Sequence, residues 1–164
     1  AVSGLLAAGC GFTYGAWEPA VAAFVAGTCL DADHLVDFKL NRLGRFTPRR
    51  FVRACNEFRF RRFYLLAHAL EWILPFLVWT ALAPVAPWVR AAGLGLGAHM
   101  VMDLAGNGMS VRSYFLLYRL AHGFDSRVFV LDLPPTGLAY WGSLDAFRRG
   151  RPFGAARDKS AKVA

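Results

Sequence analysis

Four consecutive residues, Asp31-Ala32-Asp33-His34, constrain this chain more than any other stretch. They follow an apolar run rich in small residues and precede a dense basic segment, so two carboxylates and an imidazole stand where an apolar helix would meet water. Ionised groups near an apolar bilayer core cost about 3 kcal/mol each unless they are paired. The segment therefore predicts a chemical site rather than a packing element.

Two later segments carry the same residue types at helical spacing. His68 and Glu71 are three residues apart, and His99 and Asp103 are four apart, so each pair is expected on one face of a helix. Helical bundles build metal sites from imidazoles and carboxylates that project inward from separate helices. We therefore expect the three segments to meet around a metal.

The composition is typical of a membrane protein with polar flanks. Hydrophobic residues make up 56% of the 164 residues, which is too many for an ordinary soluble domain. Charged residues at 18% and a net charge of +8 argue against a bare bundle of spans and indicate an anionic partner surface. Cys10, Cys29 and Cys55 have no CxxC spacing, so reduced thiols are expected.

The first 30 residues predict a helical hairpin. Residues 2–16 and 20–30 are apolar, and Trp17-Glu18-Pro19 separates them with a proline suited to the first turn of a new helix. A single kinked span is the alternative. The chain has neither an initiator Met nor a charged n-region, so we expect no cleaved signal peptide and further residues before Ala1.

Two longer apolar stretches follow the basic segment. Residues 63–83 and 88–105 have about the length needed to cross hydrocarbon, and Pro75 predicts a kink in the first. A stripe of small residues in the second favours close helix packing in lipid. Basic residues are concentrated at 39–62 and after 111, which places these parts at the cytoplasmic face.

Residues 35–62 hold nine basic residues interleaved with phenylalanines. An amphipathic helix capped by Thr47 with Pro48 in its first turn would lie on an anionic membrane surface. Nucleic acid is the alternative partner, but the sequence contains no recognised base-reading module. Residues 111–123 predict a further amphipathic helix at the cytoplasmic face.

The predicted fold is therefore an all-α, membrane-embedded helical bundle with an N-terminal helical hairpin, two longer spans and an amphipathic cytoplasmic helix. Residues 1–133 would form the domain that holds the metal site. Residues 134–164 would form a cytoplasmic tail that is largely irregular apart from one short helix near 142–149.

The negative charge of the carboxylates in the three segments favours a bound cation. Two divalent ions would cancel the −4 of four carboxylates, whereas one ion would leave −2. Mixed imidazole and carboxylate ligands suit zinc, manganese or iron better than calcium. The expected ligands are Asp31, Asp33, His34, His68, Glu71, His99 and Asp103. Glu71 and Asp33 are also the candidates for a catalytic role, Glu71 as a general base.

Each of these residues also has an ordinary structural explanation. A lone histidine such as His68 or His99 is more often a hydrogen-bonded core residue, and Glu71 could pair with a nearby arginine. Asp31 and Asp33 could cap the following segment. All of these explanations would have to hold together at one depth in the bilayer, which favours the metal site.

Asn107, Tyr114, Tyr118 and Arg119 lie just past the third segment. They are candidates to bind a substrate anion, with Arg119 as a phosphate contact, and anchoring at the membrane interface is the alternative. The sequence contains no GxSxG, P-loop or Rossmann fingerprint, which argues against serine hydrolases and nucleotide binding.

The aspartate-rich segment and the His99-x-x-x-Asp103 spacing resemble the membrane-bound metal-dependent hydrolases (YdjM-like) over roughly residues 1–125. That family is distantly similar to zinc-dependent phospholipase C and P1 nuclease. Asp31, Asp33 and His34 match its PDxDH-type motif, with Leu30 where proline is usual. The family's HRxxxHS element stands here as the stretch 66–72, which has a single histidine, and its N-terminal histidine would lie before residue 1.

The resemblance implies a multi-pass hydrolase of the inner (cytoplasmic) membrane of a prokaryote, with its metal site toward the cytoplasm. It implies one or two divalent ions, with zinc favoured, and a phosphoester or lipid-linked substrate. Membrane lipids are the expected partners, and the oligomeric state stays open. Two other functions also stay open, namely a non-catalytic membrane protein with a structural metal or polar cluster, and a basic membrane-surface adaptor.

Overall fold

The structure is a computed structural model that describes residues 2–153, and every regular element within this range is helical. The all-α prediction is thus confirmed. The helices are α1 (Val2–Tyr14), α2 (Trp17–Cys29), α3 (Asp33–Leu40), α4 (Pro48–Asn56), α5 (Leu70–Leu82), α6 (Pro87–Gly106), α7 (Leu116–Ala121), α8 (Ser126–Phe129), α9 (Pro135–Trp141) and α10 (Leu144–Arg148). Short 3-10 turns at Leu30–Ala32 and Val111–Tyr114 precede α3 and α7.

The apolar helices α1, α2, α5 and α6 pack together. Only residues 15 and 16 separate α1 from α2, and Cys10, Ala23 and Ala91 of α1, α2 and α6 are buried in one cluster. The N-terminal helices therefore form the predicted hairpin instead of a single kinked span. The small side chains of this hairpin allow α6 to approach both α1 and α2.

The backbones of α2 and α6 are in direct contact. A Cβ atom on Gly95 would lie 2.1 Å from the backbone oxygen of Ala23, so only glycine fits at this position. One turn further along each helix, His99 and Gly27 are joined by a hydrogen bond of 2.6 Å. The two helices thus run in the same direction and bring their C-terminal ends to the same level.

Neither of the two longer spans predicted after the basic segment meets all the criteria of a membrane span. α5 begins at Leu70 and not near residue 63, and its 13 residues extend about 20 Å against a hydrocarbon thickness of about 30 Å. Within residues 2–153, the helical stretch Trp17–Leu40 alone meets the length and hydropathy of a membrane span, and a signal segment can meet the same criteria. The length of α5 therefore does not support a span at 63–83, whereas α6 with its 20 residues has the length of the span predicted at 88–105 but not the hydropathy.

Residues 63–69 are apolar for a reason other than membrane crossing. Phe63 and Leu65 lie in the core of the basic half of the chain, together with Phe38, Phe58, Phe60, Val130 and Phe147. A loop whose apolar side chains are buried in such a core has the same composition as the start of a membrane span. The apolar composition of residues 63–69 therefore predicts too early a start for α5.

The segment after residue 133 packs on this same core. Phe147 of α10 is buried in it, and the Trp141 ring lies 5.1 Å from the Phe147 ring. Trp141 also donates its indole N–H to the backbone oxygen of Glu57 at 2.9 Å. α10 is the short helix predicted near 142–149, whereas α9 stands where irregular structure was predicted, and residues 154–164 lie outside the described part of the chain.

The two predicted amphipathic helices have different outcomes. Thr47 caps α4 as expected, since its hydroxyl accepts from the backbone N–H of Arg50 at 3.2 Å and Pro48 occupies the first turn. The helix predicted at 111–123 is instead a 3-10 turn and α7, which are separated by extended backbone at Phe115. Only its second half is α-helical.

Candidate metal centre

The three segments with acidic and imidazole residues meet at one end of the apolar helices, as predicted. Asp31 lies in the 3-10 turn after α2, and His99 and Asp103 lie on one face of α6 near its end. His68 comes from the loop between α4 and α5, two residues before α5 begins. It therefore does not share a helix face with Glu71, although the three-residue spacing suggested that it would.

Two imidazole nitrogens form the middle of the cluster. The Nε2 atoms of His68 and His99 lie 3.3 Å apart. Oδ2 of Asp103 is 3.3 Å from the first nitrogen and 3.6 Å from the second. Oδ1 of Asp31 is 3.9 Å and 3.4 Å from the same two atoms. Each carboxylate thus completes a triangle with the two nitrogens, and the group of Asp31, His68 and His99 could hold a metal ion.

These separations match those between ligands of one metal ion. In a tetrahedral site with bonds of about 2.0–2.1 Å, neighbouring ligand atoms lie about 3.3–3.4 Å apart. The Asp103 triangle has edges of 3.3, 3.3 and 3.6 Å, and the Asp31 triangle has edges of 3.3, 3.4 and 3.9 Å. A direct hydrogen bond between an imidazole and a carboxylate is usually shorter, at about 2.7–2.9 Å.

The other ring nitrogen of each histidine already has an acceptor. Nδ1 of His68 lies 2.9 Å from Oδ2 of Asp33, and Nδ1 of His99 lies 2.6 Å from the backbone oxygen of Gly27. Both Nδ1 atoms therefore donate, and in a neutral ring each Nε2 lone pair then points into the cluster. Two lone pairs that face each other at 3.3 Å repel unless a proton or a metal ion lies between them, so this orientation suits a metal ion that replaces the proton.

The surrounding carboxylates attract positive charge strongly. Burial lowers the pKa of His68, but hydrogen bonds to Asp103 and Asp33 outweigh burial and raise the pKa to about 9. Because His68 is only 1% exposed, solvent screens this attraction little. The field that stabilises a proton on His68 would also stabilise a divalent cation beside it.

Helix α3 fixes the loop that carries His68. Both carboxylate oxygens of Asp37 accept from one backbone N–H of the loop, at 3.2 and 3.0 Å, and Asp33 Oδ2 accepts from the N–H of Ala67 at 3.1 Å. Leu65 has a φ of 42°, a left-handed conformation that costs a residue with a Cβ about 1 kcal/mol or more. The buried carboxylates thus hold a strained loop in the conformation that presents His68.

Asp33 and His34 lie at the edge of the centre. Oδ1 of Asp33 and Nδ1 of His34 are buried with no partner in the described part of the chain. Nε2 of His34 is 3.7 Å from Oδ1 of Asp31. Asp33, His34 and His68 form a second, overlapping group that could hold a metal ion. Because Asp33 already accepts from Nδ1 of His68, its present contact is that of an orienting partner.

Glu71 lies apart from the cluster and has other partners. Its two carboxylate oxygens accept from the backbone N–H groups of Leu116 and Leu117, each at 2.9 Å. Because α5 starts at Leu70, Glu71 stands in its first turn and reaches the start of α7. The structure thus gives Glu71 a capping role in place of the predicted role as ligand or general base.

Replacing Glu71 tests this capping role. We expect Glu71→Ala to lower the free energy of unfolding by about 1–2 kcal/mol, because two N–H groups lose a charged acceptor. Zinc binding should not change. Chemical denaturation in detergent and a metal titration measure the two effects. The exposed Glu18→Ala serves as the control with the same loss of charge, and a loss of zinc binding in Glu71→Ala alone would contradict the assignment.

Arg119 is completely buried, at 0% exposure. Its Nη1 donates to the backbone oxygen of Leu65 at 2.8 Å, and its charge is attracted to Asp33 and Glu71. It therefore supports the strained loop and offsets acidic charge behind the centre, instead of contacting a substrate anion as predicted. Nothing in the sequence pattern around residue 119 indicated that this face of α7 turns inward.

Asn107 is held beside the centre. Its amide donates to the hydroxyl of Tyr114 at 3.4 Å, and that hydroxyl donates to the backbone oxygen of Asp103 at 3.0 Å. Tyr114 is also one of the residues that the sequence suggests for a substrate anion. It ties the end of α6 to the 3-10 turn that follows, so it fixes the backbone at Asp103.

A cleft of about 540 Å³ opens beside the centre, a volume typical of small-molecule sites. Asp31, His34 and Asp103 line one side of it, and Asn107 lines it as well. The other walls are mainly apolar, and include Phe58, Phe60, Phe63, Leu65, Met109, Leu133 and Pro134. Within residues 2–153 no lysine or arginine lines the cleft, so a negative group on a ligand would be neutralised only at the centre.

Gly27 contributes to the centre and was not predicted from the sequence, although a signal for it existed. Gly27 lies four residues after Ala23, as His99 lies four residues after Gly95. The close contact between Ala23 and Gly95 therefore repeats one turn later as the contact between Gly27 and His99. The register of the two helices, which gives this pairing, is not encoded in either stretch alone.

Comparison with family models, curated proteins and solved structures gives no match to this chain. The geometry of the centre and the chemistry of its residues therefore carry the functional argument.

Proposed function

We propose that this chain is an integral membrane hydrolase that uses one divalent metal ion to cleave a phosphoester, free or lipid-linked, at the cytoplasmic face of the membrane. One observation carries the proposal. His68 and His99 are anchored through Nδ1, and their Nε2 atoms face two carboxylates at separations typical of metal ligands. The motifs that supply these residues also support a distant relationship to the membrane-bound metal-dependent hydrolases (YdjM-like).

Zinc is the metal that we favour for this centre. Zinc, manganese and iron all bind mixed imidazole and carboxylate sets, and the separations of 3.3–3.6 Å among His68, His99 and Asp103 are close to those in a tetrahedral zinc site. With Glu71 elsewhere, the carboxylates of Asp31, Asp33 and Asp103 carry −3, which one divalent ion reduces to −1. Buried Arg119, attracted to Asp33, offsets part of the remainder. One ion thus suffices for the charge that is present.

The residues around the ion have separate roles. When bound, such an ion lowers the pKa of a coordinated water and polarises a phosphoryl oxygen. His68 and His99 hold the ion through Nε2, and Asp33 keeps the first imidazole oriented. His34 lines the cleft beside Asp31, and we assign its Nε2 to accept the proton of the attacking water. As the water oxygen bonds to phosphorus, the bond to the leaving alcohol breaks and that oxygen takes the proton from His34.

A purely structural metal is the alternative, and the exposure of the centre argues against it. Structural zinc sites are closed by four protein ligands, whereas catalytic sites keep one position open to water or substrate. The side chain of Asp31 is 58% exposed and borders the cleft, so one side of the centre is accessible. We therefore expect the metal to support turnover and not stability alone.

Exposed apolar side chains support a location in the membrane. Phe12, Leu82 and Leu5 are 93%, 81% and 76% exposed on the apolar helices, and only 22% of the most apolar window of Trp17–Leu40 is buried. A soluble monomer rarely exposes so much apolar surface. We propose a multi-pass unit in the inner membrane of a prokaryote, with α2–α3 and α6 as the crossing helices and the centre toward the cytoplasm, where the arginines lie.

The activity is tested with the purified full chain in detergent. Release of p-nitrophenol from bis(p-nitrophenyl) phosphate is measured with added zinc or manganese, and with a chelator. We expect turnover that depends on the metal and disappears in His99→Ala. Turnover that survives chelation or this substitution would contradict the proposal, and tight binding of one ion without any turnover would favour a structural metal.

Asp33→Asn distinguishes an orienting residue from a ligand. We expect zinc affinity to fall about 10- to 100-fold, the range typical when a partner that orients a ligand is changed. Competition with a chelating dye measures the dissociation constant. Asp132→Asn is the matched control, because this residue also borders the cleft but has no contact with the histidines. An unchanged affinity in Asp33→Asn would contradict the orienting role, and complete loss would make Asp33 a ligand.

A further inference from the structure

We propose that a groove of arginines beside α4 binds the phosphate groups of acidic phospholipids. Thr47, Arg49, Arg50, Arg53 and Arg59 line this arginine groove, which encloses about 500 Å³. The groove shares no lining residue with the cleft at the metal centre. The inference therefore does not depend on the proposed hydrolase activity.

The arginine groove carries positive charge that the protein does not neutralise. Between residues 41 and 59 the chain has six arginines and one acidic residue, Glu57. Glu57 forms an ion pair with Arg59 and lies 3.9 Å from Arg53. Among residues 2–153, neither Arg49 nor Arg50 has a carboxylate within ion-pair distance. An anion in the groove would thus meet at least two uncompensated guanidinium groups.

Two of the groove arginines are held in place by contacts with the protein. Nη1 of Arg50 donates to the backbone oxygen of Arg45 at 3.1 Å. Gly44, with a φ of 90°, allows this approach, because a Cβ there would lie 2.9 Å from the same Nη1. The guanidinium of Arg59 stacks 4.1 Å from the ring centre of Tyr140. Arginines that are already ordered lose less side-chain entropy when they bind an anion.

The face of α4 opposite the arginines packs on the protein core, and this packing determines which way the arginine groove faces. The Phe51 ring packs 5.9 Å from the rings of both Phe38 and Phe46, and Ala54 is buried at 1% exposure. Thr47 caps the start of the same helix. Because this aromatic face is part of the core, the helix presents its arginines outward.

Apolar neighbours favour a bilayer surface over a dissolved polyanion. Leu40, Phe46 and Val52 are 54%, 52% and 53% exposed close in sequence to the groove arginines. Leu40 ends the apolar stretch Trp17–Leu40, and α4 begins at Pro48, so the connection can extend at most about 25 Å. Arginines together with exposed apolar side chains are typical of surfaces that lie at the level of lipid headgroups.

The test measures lipid binding by the full chain in nonionic detergent micelles. Energy transfer from the protein's tryptophans to dansyl-labelled phosphatidylglycerol or phosphatidylcholine reports binding. The variant Arg49→Gln/Arg53→Gln is compared with Arg112→Gln/Arg149→Gln, which removes the same charge from exposed positions outside the groove. Circular dichroism verifies that both variants keep their helices.

We expect the groove variant to bind phosphatidylglycerol about 30-fold more weakly, given the usual contribution of each arginine near an anionic surface. Phosphatidylcholine binding should stay the same, and the control variant should remain within about threefold of the wild type. An equal loss in both variants, or no loss in the groove variant, would overturn the proposal. Tighter binding of inorganic polyphosphate or RNA than of phosphatidylglycerol would also overturn it.

Discussion

His99→Ala should weaken zinc binding by more than about 100-fold, since loss of a ligand costs more than loss of an orienting partner. The substitution removes one of the two Nε2 atoms that face the carboxylates, together with the hydrogen bond from His99 Nδ1 to the backbone oxygen of Gly27. Competition with a chelating dye gives the dissociation constant. Because His99, although only 10% exposed, lies near the end of α6, we expect the helical content to persist, which circular dichroism measures.

His122→Ala is the matched control for this experiment. His122 is exposed, and its ring nitrogen contacts the backbone oxygen of Tyr118 outside the cluster. We expect its zinc affinity to equal that of the wild type. Equal affinities for both histidine variants would show that zinc binds elsewhere, and the proposed centre would then be wrong.

Gly95→Ala should both destabilise the protein and weaken metal binding. The added Cβ would lie 2.1 Å from the backbone oxygen of Ala23, so α2 and α6 must move apart. Overpacking of this kind costs about 1–3 kcal/mol. Because His99 lies one turn beyond and depends on Gly27 of the facing helix, we expect zinc affinity to fall with stability. Denaturation and metal titration of one preparation measure both quantities.

Gly97→Ala provides the control on the same helix. A Cβ at this position would lie 3.5 and 3.7 Å from the methyl groups of Leu77, which is ordinary van der Waals contact. We expect no loss of stability or of zinc affinity beyond experimental error. If Gly95→Ala behaved like Gly97→Ala, the close contact between α2 and α6 would not position the centre.

The part of the centre that lies on α6 could be predicted from the sequence, because its residues are close together along the chain. His99 and Asp103 are four residues apart within one long helix, and α6 places both next to the same Nε2 of His68. Asp31 and Asp33 were also found, but not their different roles. In a helical turn, residues two apart point in nearly opposite directions, so Asp31 borders the cleft while Asp33 lies behind His68.

The loop of the centre could not be predicted, because a buried loop and a membrane span have similar compositions. The apolar run from Phe63 was interpreted as helix, whereas Leu65 takes a left-handed conformation and α5 starts only at Leu70. Because α5 starts later than predicted, Glu71 lies in its first turn, where its carboxylate caps α7. The buried position of Arg119 could not be predicted either, since only the tertiary structure turns it toward the Leu65 carbonyl.

The central claim is that acidic and imidazole side chains from separate segments bind one metal ion. The most direct test is X-ray absorption at the zinc edge, combined with elemental analysis, on the full chain purified in detergent. The account predicts one zinc per chain, with two nitrogen and one or two carboxylate ligands at about 2.0–2.2 Å. Absence of bound metal after zinc loading, or sulfur ligation by the cysteines, would contradict it.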